Sequence, residues 1–495
     1  MVTKKSTLTF RNSLLSRALN SSRLIFSKSW LGSSLNAFDE KDYQPHIGWE
    51  NSRARRIFNR IKTSLEVNSW ALKKLLIGLS FGLFYLIFIF TPLKSWLEIR
   101  LPLGSIYTYF VPVLLVVMAA SLVLYRRIKF TPTYVDLALM LLVVSILVSN
   151  IISYFVYRQP LNIIYESLIL LSYLAIFFIA RFLFASPRQV VIFLYTNICL
   201  AFVLALYGIW QYLHGIATPL WVENYSSITT RIFSTLNNPL ILAGYLNIML
   251  FATLSLFIGA KGRAVRVGLA AVSAVLLLAL ALTFSRGAWI GLIVGLLFFF
   301  LIYDIRWFIA MITTFLISLV FLPASLFQRL SDVLGSQYQN ISAVSGRIWS
   351  LSNVLHILPH HLLFGVGLGM YGGEVAFSLS PSIVYMEGIQ GGIIPIANTD
   401  NQFLQVLIQQ GVVGFLLFCA LIIAVIYTGL VITKKSKDKK VALIALGITA
   451  SFVAFIVQAI FADVLQFPQM SLLMFALVGI LLALPEMEKL GGRAK

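Results

Sequence analysis

The chain predicts an all-α fold, a polytopic transmembrane helical bundle, on three observations. Of its 495 residues 59% are hydrophobic and 11% charged, where an ordinary soluble domain is about 25% charged. Apolar runs of about twenty residues, the length of a helix that crosses a bilayer, recur along the chain. Short alternating segments between turns, which a membrane β-barrel requires, do not occur.

Residues 1–73 precede the first run. No apolar core follows the first basic residues, so no signal peptide is expected. Leu8, Phe10, Leu14, Leu15, Ala18 and Leu19 recur at helical spacing among Arg11, Arg17 and Arg23. That pattern suits an amphipathic helix lying on anionic lipid, with a basic flexible tail as the alternative.

About twelve spans are then expected. They fall at Lys74–Phe90, Ser105–Tyr125, Tyr134–Ile152, Ile163–Phe184, Val190–Tyr212, Pro239–Ile258, Val267–Phe284, Gly287–Tyr303, Trp307–Leu322, Val412–Ile432, Val441–Val464 and Pro468–Leu484. Basic residues fill every second loop: Arg126–Lys129, Arg181 with Arg188, Lys261 with Arg263 and Arg266, Arg306, and Lys434–Lys440. The positive-inside rule places those loops and both termini in the cytoplasm. Only Lys94, Arg100, Arg158, Arg231, Arg286, Arg329 and Arg347 of the 38 Lys and Arg then lie outside. The same distribution explains the net charge of +20 as membrane orientation, so membrane lipids are expected as partners and nucleic acid is not. Cys199 and Cys419 lie inside apolar runs without metal-ligand spacing.

The expected layout is a cytoplasmic segment 1–73, spans 1–9 in 74–322, a large extracytoplasmic loop 323–401, spans 10–12 in 402–484 and a cytoplasmic tail 485–495. The loop carries short helices and closes on Asn398-Thr399-Asp400-Asn401-Gln402. It is the one long polar interruption of the apolar chain, so chemistry is expected there.

The outer arginines run against the orientation signal and so invite a functional reason. Arg231 stands in extended chain before Asn238-Pro239, a helix start with Asn as cap and Pro in the first turn. Its guanidinium would make forked hydrogen bonds to a phosphate near the headgroup plane, or snorkel to ordinary lipid phosphate. Ser285-Arg286-Gly287 is a tight turn between apolar helices, where Arg286 must meet an anion or cap helix carbonyls. Gly287, Gly291 and Gly295 would let a neighbouring helix approach closely. Gly346-Arg347 opens an amphipathic helix over the membrane, with Ile348, Leu351, Val354, Leu355 and Leu358 on its apolar side. It leads to Gly365-Val366-Gly367-Leu368-Gly369, whose spacing is not a dinucleotide fingerprint.

Asp400 has two readings. Thr399 with Gln402 fits a capping box, which makes Asp400 a dipole partner of the helix. Alternatively, an Asp beside arginines stays ionised and takes a proton from an attacking hydroxyl. Trp221 and Glu223 would offer a sugar a stacking face and a carboxylate, or anchor at the interface. Glu166 would face the same cavity as these residues or pair with an arginine, and Asp136 would be interfacial.

These stretches resemble the O-antigen ligase and O-antigen (exopolysaccharide) polymerase superfamily of bacterial membrane proteins. The blocks that carry the likeness are Arg231–Gly244, Ser285–Gly287, Gly346–Gly369 and Asp400–Gly414, in order and on one side of the membrane. The resemblance implies a glycosyltransferase in cell-surface polysaccharide biosynthesis, using an undecaprenyl-type lipid-diphosphate-linked oligosaccharide as donor and a glycan or lipid hydroxyl as acceptor. Carried over by position, Arg231, Arg286 and Arg347 bind diphosphate, Asp400 and Arg286 are catalytic, and Asn401 touches substrate. Cofactors are expected to be none, and metal ligands none. Ligases of the family usually have His-Asn where this chain has Asp400-Asn401, and Asp there looks more like the polymerases. The stretch Gln211–Tyr245 also resembles proteins linked to inorganic carbon uptake, which makes a polytopic transporter, for inorganic carbon or a glycolipid, the alternative. No internal repeat supports it.

Overall fold

A computed structural model of the chain describes residues 69–93, 116, 132–157, 160–216, 230–320, 347–371 and 399–493. The expectations for residues 1–68, the span at 105–125, Trp221 with Glu223 and most of the loop 323–401 lie outside these residues. The chain divides into two units, Met1–Ser80 with Ala119–Thr133 and Phe81–Met118 with Tyr134–Lys495. Of the first, little beyond the opening half of one helix is described; everything below concerns the second.

In chain order the helices are α1 Ser69–Phe90, α2 Tyr134–Tyr157, α3 Pro160–Leu183, α4 Pro187–Leu213, α5 Pro239–Gly259, α6 Arg263–Leu282, α7 Arg286–Tyr303, α8 Ile305–Val320, α9 Arg347–Ile357, α10 Gln402–Lys435, α11 Lys439–Ala459 and α12 Pro468–Arg493. The described residues contain no strand. Nine of these helices are long and apolar enough to cross a membrane; α1 offers a shorter apolar stretch, and α8 has 16 residues.

The centre of the unit is α5, α11 and α12, whose spanning windows are 83%, 78% and 83% buried, against 50% or less for the other spans. α5 packs on α4, α6 and α11, while α11 also meets α7 and α10, and α12 lies along α3. Where lipid replaces water, close approach rather than hydrophobic exclusion holds helices together. The glycines of α7 provide it. A Cβ at Gly287 would stand 2.6 Å from Phe461 Cβ, and one at Gly291 2.7 Å from the Ala454 carbonyl. Two polar side chains of α5 donate to backbone: Asn247 Nδ2 to the Ala288 carbonyl (2.8 Å) and Thr253 to the Met249 carbonyl (2.7 Å).

Asp136 is not merely interfacial. Its Oδ1 accepts from Arg181 at 2.6 Å, and the two side chains, 6% and 5% exposed, tie α2 to α3.

α10 is two helices in line. At Gly411 the backbone takes φ 66° and ψ −171°, a conformation reserved for glycine. The break frees carbonyls, and Gly365-Val366-Gly367 collects them. Val366 and Gly367 N–H donate to the Ile408 and Gln409 carbonyls (2.9 Å each), and Val412 N–H donates to the Leu362 carbonyl (2.8 Å). Ser149 adds a hydroxyl to the Gln409 carbonyl, and Asn150 accepts from Leu368 N–H. Backbone runs against backbone, so a Cβ at Gly365 would fall 2.5 Å from Gln410 N. The glycine spacing in this motif is thus a packing requirement.

Candidate functional site

The segments that carry Arg231, Arg286 and Asp400 meet at one end of the bundle. α6 ends at Leu282, Phe284 turns the chain through φ +50°, and α7 begins at Arg286. The extended segment before α5 lies on that turn: Ile232 N–H donates to the Leu282 carbonyl (3.2 Å), and Arg231 Nε to the Thr283 carbonyl (2.9 Å). One nitrogen of Arg231 therefore caps α6, which holds the guanidinium three residues from Arg286. Asn238 caps α5, accepting from Leu240 N–H at 2.8 Å with Pro239 in the first turn, as its sequence predicts.

On the other side of Arg286, Gly287 rests on Phe461, two residues before Asp463. Asp463 lies between α11 and α12 and is 2% exposed. Its Oδ1 accepts from the Thr399 hydroxyl (2.6 Å) and from Asn401 N–H (2.9 Å). Asp400, half-buried between those two residues, is left-handed at φ +50°. Asn401, not Thr399, caps α10: its Oδ1 accepts from Phe403 and Leu404 N–H at 2.9 and 3.2 Å. The expected capping box is absent because Gln402 turns inward and accepts from Leu465 N–H (2.8 Å).

Asp463 is the site residue that sequence reasoning missed, since it closes an apolar run and carries no motif. Burial raises its carboxyl from the ordinary value to about 7; the Thr399 bond lowers it, the Asp400 carboxylate raises it, and N–H groups of Asn401 and Asp400 lower it.

Backbone strain gathers at the same end. Among the described residues, the non-glycine positions with positive φ are Ser234, Asn237, Phe284 and Asp400. Each costs on the order of 1–3 kcal/mol and persists only where surrounding contacts impose it. All of them lie in the segments that carry Arg231, Arg286 and Asp400.

Arg347 is the first residue of α9, which is fastened to the first half of α10 through Val354, Ile357 and Ile408. The apolar side expected for α9 divides: Val354 is buried, while Ile348, Leu351 and Leu355 are exposed. Glu166 is half-buried in α3. Trp221 and Glu223 are outside the described residues. No group of three or more His, Cys, Asp and Glu that could hold a metal ion occurs among the described residues.

Next to Asp463 a narrow apolar crevice of about 80 Å³ lies between α2, α3, α10, α11 and α12. Val464 and Leu465 line it beside Asp463, Leu142, Ile146 and Leu170 along its walls. Gln410, whose buried Oε1 lacks a hydrogen-bond partner, also lines it.

The family model for O-antigen ligases matches residues 271–419. Residues 271–419 are therefore similar to O-antigen ligases. That segment runs from α6 through the Arg286 turn, α9 and the Gly365 loop to the middle of α10, and supports a membrane glycan-processing role of the O-antigen ligase and polymerase type. Arg231 and Asp463 lie on either side of it. No curated protein matches the chain.

Proposed function

We propose that this protein is a glycosyltransferase of the O-antigen ligase and polymerase type, moving a glycan from a lipid-diphosphate donor to an acceptor hydroxyl at the outer face of the cytoplasmic membrane. The observation that carries the reading is the junction of the Arg231–Thr283 contact, the Arg286 helix start and the Thr399–Asn401 loop at one end of the bundle. Charge asymmetry between loops supports an outward position for that end.

The chemistry is a single displacement. The acceptor oxygen bonds to the anomeric carbon, the bond from that carbon to the diphosphate oxygen breaks, and its electron pair leaves with the lipid diphosphate. Arg231, Arg286 and Arg347 neutralise the leaving group through forked hydrogen bonds. Asp400 takes the acceptor's proton, and Asn401, Trp221 and Glu223 hold the sugar. The apolar crevice beside Asp463 supports a donor with a long hydrocarbon tail.

The break in α10 is the feature that favours a transporter, because transport sites often use interrupted helices. Here the broken end is occupied by the Gly365 loop, which uses the Ile408 and Gln409 carbonyls. Purified protein given a lipid-linked oligosaccharide, with and without a chelator, separates the readings. Released lipid diphosphate with a transferred glycan supports the transferase. No turnover with any donor, together with flux into proteoliposomes, supports transport.

A further inference from the structure

We infer that Asp463 is the positioning residue of the transfer site: its buried carboxyl group clamps Thr399 and Asn401 and so sets Asp400 between them. The inference rests on the proposed transferase reading for its kinetic arm, and on geometry alone for the clamp.

The carboxyl stands on a fixed base. Tyr173 donates to the Leu465 carbonyl (2.8 Å), Gln402 accepts from Leu465 N–H (2.8 Å), and Ser471 donates to the Val464 carbonyl (2.8 Å). Asp463 thus projects from a loop tied to α3, α10 and α12. It reaches a loop whose left-handed Asp400 needs external support to hold its conformation.

A count of hydrogens indicates the form in which the clamp is complete. The Thr399 hydroxyl lies within bonding distance of two acceptors, Asp463 Oδ1 (2.6 Å) and the Asn401 carbonyl (2.9 Å), yet it owns one hydrogen. With a proton on Asp463 Oδ1, the acid donates to Thr399 and Thr399 donates to Asn401, so both contacts are made. With Asp463 ionised, one of them lapses. The second oxygen, Oδ2, is buried without a partner, which also disfavours the charged form. The charged groups on the surrounding elements are Asp400 beside it, Arg286 at the start of α7, Arg231 bonded to the turn before it, and Glu166 in α3. Of these Asp400 raises the carboxyl, and burial raises it more.

Asp463 reaches the reaction through the loop alone, so its loss should lower kcat and leave the donor KM in place. Asp463→Ala is expected to cut kcat about 100-fold, the order of effect of a misplaced catalytic group. Asp463→Asn, which retains an acceptor oxygen, should lose about tenfold, one hydrogen bond's worth. Thr399→Val should weaken turnover in wild type and add nothing to Asp463→Ala. Hydrogen exchange gives a readout free of activity: the 399–404 amides, protected in wild type, should exchange faster in Asp463→Ala and Asp463→Asn. Unchanged exchange in both variants overturns the clamp whether or not the protein turns over. A raised KM with wild-type kcat would make Asp463 a donor-binding residue and overturn the positioning role. If wild type releases no lipid diphosphate but the variants lose protection, the transferase reading falls and the clamp stands. Should Asp463→Ala fail to reach the membrane, Asp463→Asn and Thr399→Val carry the same comparisons.

Discussion

The Thr399 hydroxyl and Asp463 Oδ1 share a 2.6 Å hydrogen bond across 64 residues of chain, and both partners are buried. This contact fastens the start of α10 to the loop between α11 and α12. It has a consequence for pH dependence. The folded chain holds the Asp463 proton to about pH 7, whereas the unfolded chain releases it near about pH 4.

Between those values the folded state binds more protons, so stability is greatest on the acid side and declines as pH rises toward 7. At about 1.4 kcal/mol per pH unit the decline amounts to a few kcal/mol. Asp463→Asn should flatten this slope and raise the melting temperature at pH 8 relative to wild type, while turning over more slowly. Thermal unfolding in detergent at pH 5 and pH 8 checks it; parallel slopes for the two proteins would refute the linkage.

Arg286→Ala should abolish turnover while the protein remains in the membrane. The arginine opens α7 beside the Arg231–Thr283 contact, and its neighbour Gly287 packs on Phe461. Arg286→Lys keeps the charge without the fork and should recover only part of the rate. Full activity of the alanine variant in a lipid-diphosphate release assay would remove Arg286 from the chemistry.

Gly411→Ala should unfold the middle of α10. A side chain there meets the Leu363 backbone and must adopt φ +66°. Gly268→Ala in α6 is the contrast, since nothing lies within 4 Å of its added Cβ. It should be neutral or stabilising by about 1 kcal/mol through helix propensity. Yield of monodisperse protein and melting temperature distinguish them.

Leu170→Trp should narrow the crevice beside Asp463. A long-tailed donor should then show a KM raised about tenfold, as expected for displacing two buried methylenes at about 0.8 kcal/mol each. A short-tailed, water-soluble donor should be unaffected. Equal effects on both donors would place the tail elsewhere.

Nine of the twelve expected spans are legible in the sequence and found among the described residues, because apolar runs about as long as a bilayer is thick leave few alternatives. Local helix chemistry was legible in part. Asn238-Pro239 starts α5 as read, since cap and partner are two residues apart. Thr399 with Gln402 gave the same kind of signal, and the structure spends both side chains elsewhere, on Asp463 and Leu465. A local rule cannot see a competitor more than sixty residues away. The spacing of the Gly365 motif does not show its partner, a break in a helix some forty residues later. Asp463 was hidden because one acid at the end of the apolar run from Val441 to Val464 reads as that run's boundary.

Because Asp463 stands beyond residue 419, the stretch with the family pattern does not contain the carboxyl that holds Asn401 N–H. A chain cut after Lys435 would keep Arg286, Asp400 and the Gly365 loop. It would still lack the anchor for Asn401 and the neighbour on which Gly287 rests. The two closing helices therefore support the proposed site, and a co-expressed fragment carrying them is expected to restore what such a truncation loses.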